Sequence, residues 1–331
     1  MRSNCAVYVD AGYLLSASAT LVTGTSLRSG INVNYKSLLD ALLNEGARCS
    51  DLRVLRVHWY DAAYRGVPSH EHEQIGMLPR VKLRLGRVGF EGQQKGVDLR
   101  IGLDMVTHAR NGAVDTIVLV SGDDDLTVAV EEAQLHGVEV ILLAVPDQNE
   151  RPQAVSRHLQ LAADQLEIVD RGVIEGAVTR KARPLTPEPP VSKPVEVPAN
   201  TSQPPVPTPA SIVARDLTTA RPTSPAPPTL PAHTRSTAAP ARGDLRYLAD
   251  EEYAEQIERV ARKVVQSFLT SAATADRDAL QQGRPSIPQD LDRALLQDMS
   301  QTVDLYYLDD EIRTELRRAF WHAVDNFKSA R

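Results

Sequence analysis

Cysteine is nearly absent, with only Cys5 and Cys49 in 331 residues. Two are too few for a disulfide framework and fit free or buried thiols in a reducing compartment, so a cytoplasmic location is expected. Long apolar runs are missing as well. The opening stretch MRSNCAVYVDAGYLL is broken by Asp10, and no run of about 18 apolar residues follows, so neither export nor membrane insertion is expected. Positive charge is not in excess either: 37 Lys and Arg against 43 Asp and Glu give a net charge of -6. Without a global basic field, any polyanionic partner must be held locally. No Walker A or GxGxxG sequence follows a strand-like run, and no nucleophilic serine elbow occurs. Nucleotide, dinucleotide and acyl-transfer chemistry by those routes is therefore unsupported.

What the chain does have is a short apolar run that ends in a carboxylate, used more than once. In DTIVLVSGDDDL, Ile117 to Val120 reads as a buried strand that delivers Ser121, Gly122 and the triplet Asp123 to Asp125. Ala6 to Val9 ends at Asp10 in the same way, although Asp10 serves equally well as the N-cap of a following helix. The residues from there to about Gly30 read as a variable loop or short helix. Asn34 to Asn44 spaces Tyr35, Leu38, Leu39, Leu42 and Leu43 as an amphipathic helix, with Gly46 as its stop. Leu52 to Tyr60 is a second strand, followed by Asp61. The SHEHE stretch at Ser69 to Glu73 matches no metal-ligand spacing and reads as a solvated loop.

Pro79 to Phe90 alternates, placing Arg80, Lys82 and Arg84 on one side of a strand. Two uses of this stripe stand side by side: a solvated edge that resists aggregation, or phosphate contact beside an acidic crevice. Val97 to Arg110 is a helix. Asp104 falls with Arg100 on its solvent side, whereas Asp98 shares the inward side with Ile101, Met105 and Ala109. A carboxylate on the first turn of an inward face is favoured by the helix dipole alone, yet its place just after Lys95 and Gly96 suggests an opening onto a polar site. A helix from Leu126, a strand at Val138 to Val145, a helix at Gln153 to Leu161 and a strand at Leu166 to Val169 complete the alternation. Strands and helices in turn imply a mostly parallel sheet covered on both faces, an α/β domain over residues 1–172.

Residues 173–243 hold 16 of the 22 prolines, eight basic and four acidic residues and no aromatic residue, so a disordered tether is expected. Residues 244–331 show three amphipathic helices. Their stripes are Ile257 to Phe268; Leu291, Leu295 and Met299; and Ile312, Leu316, Phe320, Ala323 and Phe327. A small helical bundle with 12 basic against 17 acidic residues is a poor reader of DNA. Docking on the first domain, self-association or a protein partner suit it better.

Asp10, Asp98 and the Asp123 to Asp125 triplet then project toward one end of the sheet, as a carboxylate cluster suited to Mg²⁺ or Mn²⁺ and to phosphodiester hydrolysis. Asp124 is the member of the triplet left to cap the helix or face solvent. Lys95, the Arg80, Lys82 and Arg84 stripe and Ser121 are candidate substrate contacts, and Trp59, Tyr60 or Tyr64 could stack a base. A haloacid-dehalogenase-type phosphatase would need a second acid where Gly12 stands. YVDAGYLL at Tyr8 to Leu15, QKGVDLRIGLDM at Gln94 to Met105, and SGDDDL at Ser121 to Leu126 with GVEVILLAV beyond it resemble the NYN domain, over roughly residues 4 to 170. That family is PIN-like and includes the LabA-type bacterial proteins. The resemblance implies a PIN-like α/β/α sandwich and metal-dependent cleavage of RNA, single-stranded by expectation. Asp10, Asp98, Asp123 and Asp125 match its acidic positions, and Asp104 matches a further helix acid. Leu126 replaces a common Phe, and Asp124 adds a charge. The alternative is a non-catalytic RNA-binding or regulatory scaffold.

Overall fold

The chain runs β1 (Cys5–Asp10), α1 (Ala11–Thr23), β2 (Ile31–Val33), α2 (Tyr35–Ser50), β3 (Val54–Tyr64), α3 (His70–Gly76), β4 (Val81–Val88), β5 (Gln94–Lys95) and α4 (Val97–Arg110). It continues through β6 (Thr116–Val120), α5 (Thr127–Leu135), β7 (Glu139–Ala144), α6 (Arg157–Ala162), β8 (Gln165–Ile168), α7 (Arg171–Ala177) and β9 (Val178–Arg180). Later come α8 (Arg246–Ser271), α9 (Thr274–Gln282), α10 (Gln289–Val303) and α11 (Asp310–Ser329). The structure, a computed structural model, describes residues 3–64, 66–88, 94–181, 246–303, 305 and 308–329. The expected tether at 173–243 lies outside the described residues from 182 onward.

Among the described residues, seven strands form one sheet in the order β5-β4-β3-β1-β6-β7-β8, and β2 pairs with β9 in a separate antiparallel ribbon. Every pairing in the large sheet is parallel except that of β4 with β5. The period of two sorts the strand residues. Val7, Val9, Val118 and Val120 face α1, α2 and α7, whereas Ala6, Tyr8, Ile117 and Leu119 face α4, α5 and α6. The result is the α/β/α sandwich that the alternation of elements predicts. From β1 the strand order steps outward through β3 and β4 on one side, and through β6, β7 and β8 on the other. The carboxyl ends of β1 and β6 therefore flank a topological switch point, where open α/β sheets keep their ligand crevice.

Several elements depart from the sequence expectations, each for a packing reason. The stretch after Asp10 is a 13-residue helix, closed by Gly24 at φ 82. It shows no apolar stripe because both its faces are covered, one by the sheet and one by the C-terminal helices; Gln297 of α10 donates to Ser16 Oγ at 3.1 Å. Gly46 does not stop α2 but lies inside it, where a Cβ would come 2.7 Å from Val7 Cγ2. β3 runs on through Asp61 to Tyr64. SHEHE is a short helix, not a loop, with Ser69 and His72 forming a capping box. The folded α/β chain also reaches beyond residue 173, because α7 and β9 bury Ile174, Ala177 and Val178.

The described residues up to 181 and from 247 onward form one compact unit. The C-terminal helices number four among the described residues, since α9 with its single buried Leu280 carries no readable stripe. The three predicted stripes meet in one core, which Leu27 of the α/β domain enters, fully buried. Beside it Ser26 N donates to Asp298 Oδ1 at 2.9 Å, and Thr25 Oγ1 donates to Ser267 Oγ at 3.2 Å. Farther along, Gln153 Nε2 donates to Gln301 Oε1 at 2.8 Å. No helix among the described residues is long and apolar enough to cross a membrane.

Candidate functional site

The site is built from the ends of β1 and β6. Asp10 is 8% exposed, and one of its oxygens caps α1 by accepting from Gly12 N at 2.8 Å and Tyr13 N at 3.3 Å. Its other oxygen accepts from Ser121 Oγ at 3.3 Å, and Ser121 in turn accepts from Asp123 N at 3.3 Å. Ser121 thus ties the two strand ends together. Gly122 has to be glycine, because a Cβ there would lie 2.0 Å from the Ala154 carbonyl oxygen and 2.8 Å from the Tyr13 ring. Tyr13 secures the same corner: its hydroxyl donates to Gln153 O at 3.0 Å and accepts from Val145 N at 3.1 Å.

The triplet divides differently from the sequence expectation. Asp123, not Asp124, does the capping, accepting from Asp125 N at 3.1 Å at the head of a 3-10 turn. Asp124 turns to the segment before α6. It accepts from Ser156 Oγ at 2.5 Å and stands 3.2 Å from His158 Nδ1, and these contacts hold its carboxyl below the usual range. Both partners lie more than thirty residues downstream, so no local pattern could have flagged them. Asp125 is exposed.

Asp10, Asp98, Asp123 and Asp125 share one electrostatic field. Burial first, then the charges of Asp98 and Asp123, push Asp10 up to about 7 against the backbone N–H groups that stabilise its anion. Asp98, half-buried on the first turn of α4, is raised by burial and then by Asp123 and Asp125. Hard carboxylate oxygens that crowd one another are the donor set that Mg²⁺ or Mn²⁺ takes, so the residues fit such an ion in chemistry and in charge. Their spacing is open: among the described residues, no three His, Cys, Asp or Glu groups are placed to hold a metal ion as they stand.

The other candidates lie apart from this cluster. Asp104 does not pair with Arg100. It accepts from Tyr60 Oη at 3.0 Å and pairs with Arg84 Nε at 3.2 Å, because α4 lies over β3 and β4, while Arg100 donates to Leu85 O at 2.7 Å. The basic stripe is broken up. Arg80 precedes β4 in a left-handed turn at φ 61 and donates to Val54 O at 3.1 Å, toward the amino ends of the strands. Lys82 is exposed on β4, and Arg84 alone is level with Asp10, through the register Asp10–Tyr60–Arg84. Lys95 lies in β5 directly before α4, and its side chain is outside the described residues. Trp59 and Tyr60 are fully buried, so neither can stack a base; the Tyr64 side chain lies outside the described residues. Asp61 is buried against His72 Nε2 at 3.3 Å and Arg28 at 3.5 Å. Burial alone would raise it, but these partners and the Ala62 N–H hold it low.

The NYN domain family model matches residues 4–170, half of the chain, and spans every element that carries an acid of the cluster. The chain belongs to the NYN domain family. Its NYN domain accordingly has a PIN-like nuclease fold, a class that commonly uses divalent metals. The uncharacterized protein y4oD of Sinorhizobium fredii is 44% identical over 77 residues, which are 23% of this chain and 36% of that protein. The chain thus spans about a third of the length of the curated relative it matches. A crystal structure of a protein of unknown function from Vibrio parahaemolyticus is 22% identical, with a TM-score of 0.37, covering 51% of this chain and 94% of that one.

Proposed function

We propose that the NYN domain is an endoribonuclease that hydrolyses phosphodiester bonds of single-stranded RNA, with Mg²⁺ or Mn²⁺ held by Asp10, Asp98, Asp123 and Asp125. One observation carries this reading: Asp10 and Asp98, from separate segments, are each raised by burial and then by the charges of neighbouring acids at this end of the sheet. A bound divalent cation supplies Lewis-acid charge to the phosphoryl oxygens and to the attacking water. The chain's own groups do the rest. Asp10, locked by Gly12, Tyr13 and Ser121, keeps an oxygen fixed at the floor of the crevice. Asp98 and Asp125 are more open and can orient the water and accept its proton. Hydrolysis breaks one P–O bond, the water oxygen takes its place, and a proton passes to the departing ribose oxygen. Lys95 is assigned to a neighbouring phosphate, while Ser121, fully buried, keeps Asp10 in place instead of reaching substrate; RNA as the substrate follows the family.

The test is purified full chain with labelled single-stranded RNA and Mn²⁺, beside Asp10→Asn and Asp123→Asn. Each substitution should slow cleavage by about 10²-fold or more, the scale of removing one transition-state-stabilising group. Metal-dependent cleavage unchanged in both variants eliminates this site. RNA that is bound but never cut, across varied sequences, favours the scaffold alternative, and a preference for DNA changes the substrate class.

A further inference from the structure

Where α10 meets the α/β domain, a polar cavity of about 630 Å³ is lined by the cations Arg28, Lys181 and Arg293 and by the acids Asp61, Glu71 and Asp290. Asp61 is already engaged by His72, Arg28 and the Ala62 N–H. Glu71 acts on the Tyr35 hydroxyl. Arg293 differs: the residue is half-buried, and no hydrogen bond or ion pair among the described residues engages it. A guanidinium cannot shed its proton and presents five N–H donors in a rigid fork, so leaving it idle in a partly desolvated cavity is costly. After burial, the like charge of Arg28 is the strongest influence on Arg293, and Asp290, Asp61 and Asp10 act against it from a distance without engaging its donors. Two arginines facing one cavity, one of them with no partner among the described residues, are matched by an oxyanion that accepts from both.

The position is informative. Asp10 is among the charges that act on Arg293, so the cavity adjoins the acidic crevice. Leu15, on the helix that Asp10 caps, forms part of its wall. A strand whose scissile phosphate lies at the carboxylates would carry its next phosphates past this opening.

We propose that Arg28 and Arg293 hold a phosphate of the bound RNA strand, either a flanking backbone phosphate or a 5′-terminal one, so that α10 completes the substrate groove of the NYN domain. The proposal rests on the ribonuclease reading above. It makes the C-terminal helices part of the substrate site, in which Arg293 is a binding residue and not a catalytic one.

The experiment is fluorescence anisotropy of a labelled single-stranded RNA with the full chain, with EDTA present to prevent cleavage, over a range of NaCl concentrations. Arg293→Gln and Arg28→Gln are each expected to weaken binding several-fold and to lower the slope of log K against log[salt] by about 0.7, the share of one single-strand phosphate contact. Arg293→Lys keeps the charge and should retain the slope while losing part of the affinity. Thermal melts that match the wild type show that the variants are folded. A 5′-phosphate that tightens binding to the wild type, but not to Arg293→Gln, assigns the site to a strand end; equal affinity for 5′-hydroxyl and 5′-phosphate strands assigns it to the backbone. RNA bound and cleaved equally by wild type and Arg293→Gln overturns this inference alone. RNA that the wild type does not bind overturns both readings, whereas binding lost in Arg293→Gln by a protein that never cleaves supports this one and removes the hydrolytic one.

Discussion

At Asp10, one carboxylate caps a helix, accepts from Ser121 and faces two other acids, and these demands pull its ionisation in opposite directions. The backbone N–H groups favour the anion; burial, Asp98 and Asp123 oppose it and win, pushing the group from 3.8 to about 7. Because the folded value is raised, the stability tied to the neutral acid is complete below 3.8 and is lost as pH rises through about 7. At about 1.4 kcal/mol per unit, the loss without metal is on the order of 4 kcal/mol. Asn caps a helix as well as Asp does, so Asp10→Asn keeps α1 started and removes the titration. In EDTA, the melting temperature of the wild type should fall between pH 5 and pH 8, while that of Asp10→Asn stays level and exceeds the wild type at pH 8. Mn²⁺ should restore the wild type and leave the variant unmoved. Parallel pH profiles for the two proteins would show that Asp10 ionises in the fold without cost.

At the scale of elements, what could be read in the sequence was whatever buries a single kind of face. β1, β6 and β7 are apolar runs buried on both sides, and α4 separates Asp98, Ile101 and Met105 from its solvent side, so these elements and their acids were legible. Of α1 only the capped start at Asp10 was legible; its full length was not, because the sheet lies under it and α10 over it, and a helix covered on both faces has no stripe. α3 buries only His72 and Ile75, and α9 only Leu280. The same limit applies to the site. Asp10 and Asp123 announce themselves at strand ends, whereas the bonds of Asp124 to Ser156 and the approach of Arg293 to Arg28 join segments far apart in the chain. Asp298 on α10 is another long-range partner. Its Oδ1 accepts from Ser26 N, and its Oδ2 is buried with no partner among the described residues. Burial pushes it up to about 6, against the stabilising Ser26 contacts and Lys263. Its folded value is raised as well, so the associated stability is complete below 3.8 and lost as pH rises through about 6, on the order of 3 kcal/mol. Asp298→Asn keeps the acceptor for Ser26 and removes the buried charge. Its melting temperature at pH 7.5 should exceed that of the wild type by several degrees, with no difference at pH 4. A variant less stable than the wild type at pH 7.5 would mean that the ionised carboxylate strengthens the joint instead of weakening it.

At the scale of the whole molecule, the question is whether the α/β domain and the C-terminal helices fold as one body. The polar joints at Ser26–Asp298, Thr25–Ser267, Ser16–Gln297 and Gln153–Gln301 fix the docking geometry, but each is a single hydrogen bond of about 1 kcal/mol net. Leu27 is the apolar link, a residue of the α/β domain sealed inside the core built by Val264, Leu295, Phe320 and their neighbours. Leu27→Ala should cost about 2–5 kcal/mol, and the cost should fall on the joint because neither core loses a residue of its own helices or strands. The chain contains its own reporters: of its two tryptophans, Trp59 is buried in the sheet layer and Trp321 in the helical core. Trp59→Phe and Trp321→Phe give two single-tryptophan proteins, each reporting one half. In urea the two fluorescence transitions should coincide while Leu27 is present, because unfolding either half exposes the apolar joint of the other. With Leu27→Ala they should separate, the Trp321 transition moving to lower urea by about 1–2.5 M for a slope of about 2 kcal/mol per M. If they are already separate with Leu27 in place, the helices are an independently folding attachment, and a groove shared between Arg28 and Arg293 loses its rigid frame.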